Sequence, residues 1–145
     1  MHDTTAVLPA KQAITEALYR YCVAVDRIDE ATWWQVWHHD AIAHYEDIFD
    51  GSAKSLMTWN FETHRSCEAT SHQVSNVLID VDGSAATSES YVTACIRSGD
   101  SVVVARGRYL DSWSSRDEVW RIDERSYRND IMQVTAFTAG DGSVF

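Results

Sequence analysis

The sequence predicts an α+β domain in which helices pack on one face of a curved sheet of antiparallel neighbours, and three observations carry that expectation. Helical periodicity is confined to the residues before Ser71. From Ser71 onward the apolar residues fall into long segments rich in strand formers. Those segments are separated by turn signals short enough to join antiparallel neighbours, and helices followed by strands are the order of an α+β fold. At 145 residues with a single proline, the chain is read as one domain, 1–145, burying roughly two-thirds of its unfolded surface. No repeat, low-complexity tract or linker divides it.

From Pro9 to about Arg27, Ile14, Leu18, Tyr21, Cys22 and Val25 recur at helical spacing, and Pro9 suits a first turn, where its missing N–H costs nothing. A second helix is expected over Glu30–His38, with Asp29 as N-cap and Trp33, Trp34 and Trp37 as its buried stripe. Ile42–Glu46 reads as a short strand. Asp50-Gly51 signals a turn, after which Ser52 can cap a third helix that carries Leu56, Met57 and Trp59 inward and fades near His64. Four long strands then follow as a meander, turning at Asp82-Gly83, Ser98-Gly99-Asp100 and Arg116-Asp117. Residues 1–8 and 138–145 are expected as tails, the glycine-containing TAGDGSVF segment being either mobile or part of an oligomer contact.

Twelve Lys+Arg stand against 22 Asp+Glu, a net charge of −10. That balance argues against nucleic-acid binding, which needs a cationic surface to release counterions, and against docking on an anionic membrane. No apolar run is long enough to span a bilayer, and MHDTTAVLPA has neither the cationic leader nor the apolar stretch of a signal peptide. Cys22, Cys67 and Cys95 are odd in number and outside any CxxC arrangement, so a reducing cytoplasm is the expected compartment. An aromatic fraction of 11%, with six tryptophans, can build either a dense core or an apolar cavity.

Asp26 is the first residue that could carry chemistry. It follows Val25 and lies four residues after Cys22, at the border of the apolar helix face, where a carboxylate needs a partner. Water or the adjacent Arg27 would supply one. His72 opens the first long strand, and strict alternation places it with Val74, Asn76 and Leu78 on one face, with Gln73, Ser75, Val77, Ile79 and Val81 on the other. Taken singly, His72 reads as a hydrogen-bonded structural group. Paired with Asp26 across the helix and sheet, it becomes a general base, because a carboxylate on one ring nitrogen fixes the tautomer and stabilises the imidazolium.

Tyr19, Tyr21 and Tyr45 offer phenolic donors; Tyr21 either polarises an oxygen in a cavity or packs in the core with its hydroxyl at the rim. Arg125 and Tyr127 share a strand face, with Ile122, Glu124 and Ser126 opposite. Arg125 is either one of many arginines on a solvated, ion-paired face or a donor to a substrate oxygen or a carboxylate at a cavity mouth. His38-His39-Asp40 and His44-x-Glu46 lack metal-site spacing, so no metal is expected. There is no GxSxG elbow and no glycine-rich phosphate loop.

The ordered segments LYRYCVAVDRID, VWHHDAIAHYED, SHQVSNVLIDV and GRYLDSWSSRDEVWRIDERSYRND resemble the SnoaL-like branch of the NTF2-like superfamily. Within it they resemble the group of scytalone dehydratase, hexachlorocyclohexane dehydrochlorinase and bile-acid 7α-dehydratase. The likeness runs from about Ala10 to Met132. It implies a cone-shaped fold, with N-terminal helices closing an apolar pocket over the curved sheet, and a homotrimer. It also implies a catalytic dyad at Asp26 and His72, with Asn76 and Arg125 matching dehydrochlorinase positions. Tyr21 stands where the dehydrochlorinase has a lysine and resembles the tyrosine of the bile-acid enzyme, which favours a hydroxyl leaving group over chloride. Tyr45 is a candidate for one of the two tyrosines that hold a water on the substrate carbonyl in scytalone dehydratase.

The resulting expectation is a cofactor-independent lyase that eliminates water from a hydrophobic cyclic oxygenated small molecule. Asp26 and His72 would be catalytic, and Tyr21, Tyr45, Asn76 and Arg125 would bind substrate. The rivals are an isomerase or polyketide-cyclase-like enzyme of the same fold, and a noncatalytic binding or assembly module, since one fold hosts many functions.

Overall fold

The computed structural model describes residues 4–138. Residues 1–3 and 139–145 lie outside the described residues, and with them the start of the first expected tail and nearly all of the second; Thr4–Leu8 of the first are helical, not a tail. Helices α1 (Thr4–Arg27) and α2 (Glu30–Val36) precede strands β1 (Trp37–Tyr45) and β2 (Phe49–Ser52). Helix α3 (Ala53–Arg65) then leads into β3 (Ala69–Asp82), β4 (Ala85–Ser98), β5 (Ser101–Arg116) and β6 (Val119–Ala136).

Helix α1 buries Ile14, Leu18, Tyr21 and Val25, an i, i+4, i+7, i+11 stripe, against β3 and α2. It begins before the expected start, so Pro9 is its sixth residue, past the first-turn N–H groups that have no helical partner, and forfeits one main-chain hydrogen bond. It ends where Ile28 turns to a positive φ of 54°, and the N–H of Asp29 closes on the carbonyl of Ala24. Asp29 then caps α2, its Oδ1 accepting from the N–H of Thr32 at 3.1 Å. Ser52 does the same for α3 through the N–H of Ser55.

The six strands form one sheet in the order β2-β1-β6-β5-β4-β3. All neighbours are antiparallel except β1 and β6, which run parallel with Ala43 opposite Arg125 and Tyr45 opposite Tyr127. A parallel pair needs a long crossover. Here about half of the chain serves as that crossover, so no local turn signal announces the pairing. Strand β1 also begins at Trp37, not Ile42, cutting α2 short of His38; and Asp50-Gly51 is part of the edge strand β2, the reversal falling instead at residues 46–48.

Register shifts bend the sheet. In β3 the pairing slips between Ser75 and Leu78, where Asn76 has a φ of 49°. In the β5–β6 pair it slips at Arg106/Gly107 and at Ser112/Trp113. Each bulge places an extra residue on one strand and increases the local twist. At Gly107 a Cβ would sit 2.1 Å from the carbonyl oxygen of Arg128 and 2.7 Å from the Tyr127 ring, so only glycine permits this approach. The core between helices and sheet is built on Trp33, Trp37, Trp113 and Ile122, all essentially inaccessible.

Candidate active site

Helix α1 crosses β3 close to its own C-terminus, which brings Asp26 onto the first half of that strand. Three donors hold the carboxylate. The His72 main-chain N–H reaches Oδ2 at 2.9 Å, Thr70 Oγ1 donates to Oδ1 at 2.9 Å, and His72 Nδ1 lies 2.7 Å from Oδ1. Burial alone would raise the Asp26 pKa, but the bonds from His72 and Thr70 outweigh it and hold the carboxyl below its usual range. A carboxylate only accepts hydrogen bonds, so the ring proton of neutral His72 sits on Nδ1 and the lone pair on Nε2. No protein group among the described residues hydrogen-bonds Nε2.

His72 forms part of the wall of a half-open cavity of about 160 Å³ lined by residues of α1, α3 and the sheet. Trp59, Val92, Ile96, Val103 and Met132 supply apolar wall. Tyr21 and Tyr45 also line it, their hydroxyls 2.8 Å apart, and Asn60 Nδ2 approaches the Tyr21 oxygen at 3.5 Å. Behind these phenols lies an ion pair with both side chains at 0% exposure: Arg125 Nε and Nη2 donate to the two Asp111 oxygens at 2.7 and 2.8 Å. The guanidinium carbon sits 3.7 Å from the Tyr109 ring centre and 4.3 Å from that of Tyr21. Burial opposes its charge, yet Asp111 overrides burial and keeps the Arg125 pKa well above its ordinary value. Burial raises the pKa of Tyr21 while Arg125 pulls it back, and the same opposition acts on Tyr45, so both phenols remain protonated donors at neutral pH.

This arrangement can be set beside known proteins. The sequence matches the SnoaL-like domain over residues 6–126. The chain belongs to the SnoaL-like domain family. Solved structures agree with that assignment at the level of fold. A candidate scytalone dehydratase from Novosphingobium aromaticivorans is 21% identical, covers 94% of this chain and 93% of its own, and superposes with a TM-score of 0.81. A type 2 hexachlorocyclohexane dehydrochlorinase is 19% identical, with coverage of 93% and 96% and a TM-score of 0.79. An NTF2-like superfamily protein from Salmonella enterica is 18% identical, with coverage of 96% and 99% and a TM-score of 0.76. No curated protein matches the sequence at a significant level. The α+β class, with N-terminal helices over a curved, unclosed sheet, is therefore the fold of this SnoaL-like domain.

Of the residues singled out in the sequence, the SnoaL-like domain brings Asp26, His72, Tyr21 and Tyr45 to one place. Three others lie elsewhere. Asn76 is exposed and does not line the cavity, because the bulge after Ser75 breaks the alternation that placed it with His72. Past the bulge it is Val77, Ile79 and Val81 that turn inward while Leu78 is exposed, since a one-residue slip exchanges the two faces. Arg125 is not at a cavity mouth. It is sealed beneath the tyrosines, because the slip between Ser112 and Trp113 lets Ile122 and Arg125 both face inward. Tyr19 is half exposed and does not line the cavity.

Tyr109, Asn60 and His64 line the cavity without having been singled out in the sequence. A signal for the last two was present. Helix α3 buries Ala53, Leu56, Met57, Asn60, Phe61 and His64, so two polar residues occupy positions of an otherwise apolar stripe. Among the other described histidines, His38 Nε2 lies 3.1 Å from the carbonyl oxygen of Ser114, His39 stacks on Trp34, and His44 lies between Asp50 and Glu124. Among the described residues, no helix is long and apolar enough to cross a membrane.

Proposed function

We propose that this chain is a cofactor-independent lyase that dehydrates a compact, hydrophobic, cyclic hydroxy-carbonyl compound, with His72 as general base. His72 Nε2 removes a proton from the carbon beside the carbonyl, and the electron pair passes to the carbonyl oxygen as an enolate. The enolate accepts hydrogen bonds from the Tyr21–Tyr45 pair, whose donor strength the Arg125 charge increases. Its collapse forms the carbon–carbon double bond and breaks the bond to the β-hydroxyl, which takes up the proton held on His72 Nε2 and leaves as water, returning His72 to its neutral form. The observation that carries this reading is the 2.7 Å contact of His72 Nδ1 with Asp26, which leaves Nε2 without a protein partner. General-base catalysis of this kind contributes about 10² to 10⁴ in rate, and a well-placed oxyanion donor a further factor of about 10².

The cavity favours a small occupant, since about 150 Å³ of apolar space is enough for a benzene ring. Three free thiols, Cys22, Cys67 and Cys95, fit a reducing cytoplasm. Leu78 (72% exposed) and Tyr91 (49%), on the sheet face away from the helices, suit the self-association of a homotrimer.

Incubation with a panel of cyclic β-hydroxy ketones, followed by enone absorbance and by deuterium exchange at the α carbon, tests the reaction. Enone formation that depends on His72 is expected. Exchange without loss of water points instead to an isomerase, and near-normal turnover by a folded His72→Ala protein sinks the mechanism.

A further inference from the structure

The cavity contains a second histidine that the proposed dehydration does not use. His64, in the last turn of α3, is 8% exposed, lines the same cavity, and has its ring centre 5.3 Å from that of His72. Its Nδ1 lies 2.6 Å from the main-chain oxygen of Asn60. A carbonyl oxygen only accepts, so Nδ1 carries the proton of the neutral ring and Nε2 is left as a bare acceptor. That Nε2 is buried and has no hydrogen-bond partner among the described residues.

The two rings share a tautomer but differ in what backs them. Asp26 stabilises an imidazolium at His72, whereas a neutral carbonyl gives His64 much less of that help. Burial lowers the His64 pKa, and His72 adds to the effect against the pull of Asn60 and Asp26. A neutral ring whose proton is committed to the main chain cannot act as an acid toward the cavity; it can only accept. The polar groups nearby, Tyr21, Tyr45 and Asn60, do not reach that nitrogen. A buried acceptor without a donor is unfavourable, and the cavity occupant is the remaining source of one.

We infer that His64 is a specificity-determining residue: its Nε2 accepts a hydrogen bond from a hydroxyl group of the substrate, so the cavity selects hydroxylated rings over isosteric rings without a donor. The inference rests on the reading of this cavity as the substrate site.

The test uses p-cresol and p-xylene, which share a shape and differ in one hydroxyl, in calorimetric titrations of the full chain. The ratio of their dissociation constants, p-xylene over p-cresol, is expected to fall about tenfold in His64→Leu. It should stay within about threefold of wild type in His64→Gln, whose amide oxygen can still accept, and should persist in His72→Ala. In the unsubstituted protein, the ¹⁵N resonance of His64 Nε2 should move upfield with p-cresol and stay in place with p-xylene, a readout independent of any variant's folding. An unmoved resonance, or a ratio lost in His72→Ala but kept in His64→Leu, overturns the assignment and leaves the cavity as a binding site. Failure of both probes to bind overturns the assignment together with the reading of the cavity.

Discussion

Two carboxylate-centred pairs flank the cavity, and they are built differently. In the Asp26–His72 pair the carboxylate side chain retains 23% exposure, the imidazole 8%, and one ring nitrogen is left without a protein partner. In the Asp111–Arg125 pair both side chains are at 0%, and the guanidinium carbon lies over the rings of Tyr21 and Tyr109. The first pair keeps a lone pair available to the cavity. The second offers none, because arginine does not lose its proton and two desolvated charges tolerate no unpaired state. The difference assigns them different work: proton transfer at the first, a fixed positive potential under the phenols at the second.

The largest expected effect separates them by activity against stability. His72→Ala should lower turnover by about 10³ or more while the melting temperature stays within a few degrees of wild type. Asp26→Asn should be nearly as severe, because an amide no longer stabilises the imidazolium. Arg125→Met should do the reverse in kind. Removing one partner of a buried pair strands the other, and chemical denaturation should show a loss of about 3–5 kcal/mol. Pairing it with Asp111→Leu should restore most of that stability by removing the stranded carboxylate. If the positive potential matters to the reaction, the restored protein will still show a reduced kcat with little change in KM; a normal kcat would reduce Arg125 to a structural element.

The pairs also differ in how much of them the sequence disclosed, and the reason lies in the range of the forces involved. The Asp29 cap and the reversals at Gly83 and Gly99, both at φ 59°, are set by neighbours a few residues away and could be read directly. Asp26 and His72 could be singled out as a carboxylate on a helix edge and a histidine on a strand, joined by the family resemblance. Their contact spans 46 positions and depends on how α1 crosses β3. Arg125 and Tyr127 share the inward face that alternation gives them, but Ile122 joins that face only through a bulge, and nothing in the alternation of residues 119–127 marks where the register slips. The partner Asp111 lies on β5 and is paired across that irregular stretch. His64 was passed over because a histidine near a helix end reads as a polar terminus until the packing of α3 is known.

A third, intermediate effect concerns pH. The folded-state pKa of Asp26 lies below its unfolded value, so the ionised carboxylate contributes stability at neutral pH, and that contribution is lost as pH falls through the ordinary Asp range to the folded pKa. The stability difference between wild type and Asp26→Asn, followed by urea unfolding, should therefore be widest above about pH 5 and narrow toward pH 3. A difference independent of pH would mean that the carboxylate is not held by its donors as ions are.

The smallest effect tests the register of β3, on which the identity of the cavity wall depends. Asn76 sits in the bulge at φ 49°, a conformation that asparagine and glycine adopt more readily than other residues. Its side chain is exposed and away from the cavity. Asn76→Gly should leave turnover unchanged and shift stability by less than about 1 kcal/mol, whereas Asn76→Ala should destabilise by about 1 kcal/mol through strain alone. Both follow if the chain slips between Ser75 and Leu78. Had strict alternation continued, Asn76 would share the cavity face with His72, and either substitution would raise KM. A rise in KM for Asn76→Gly without loss of stability would therefore return Asn76 to the substrate, move the bulge, and reassign every inward residue of β3 beyond it.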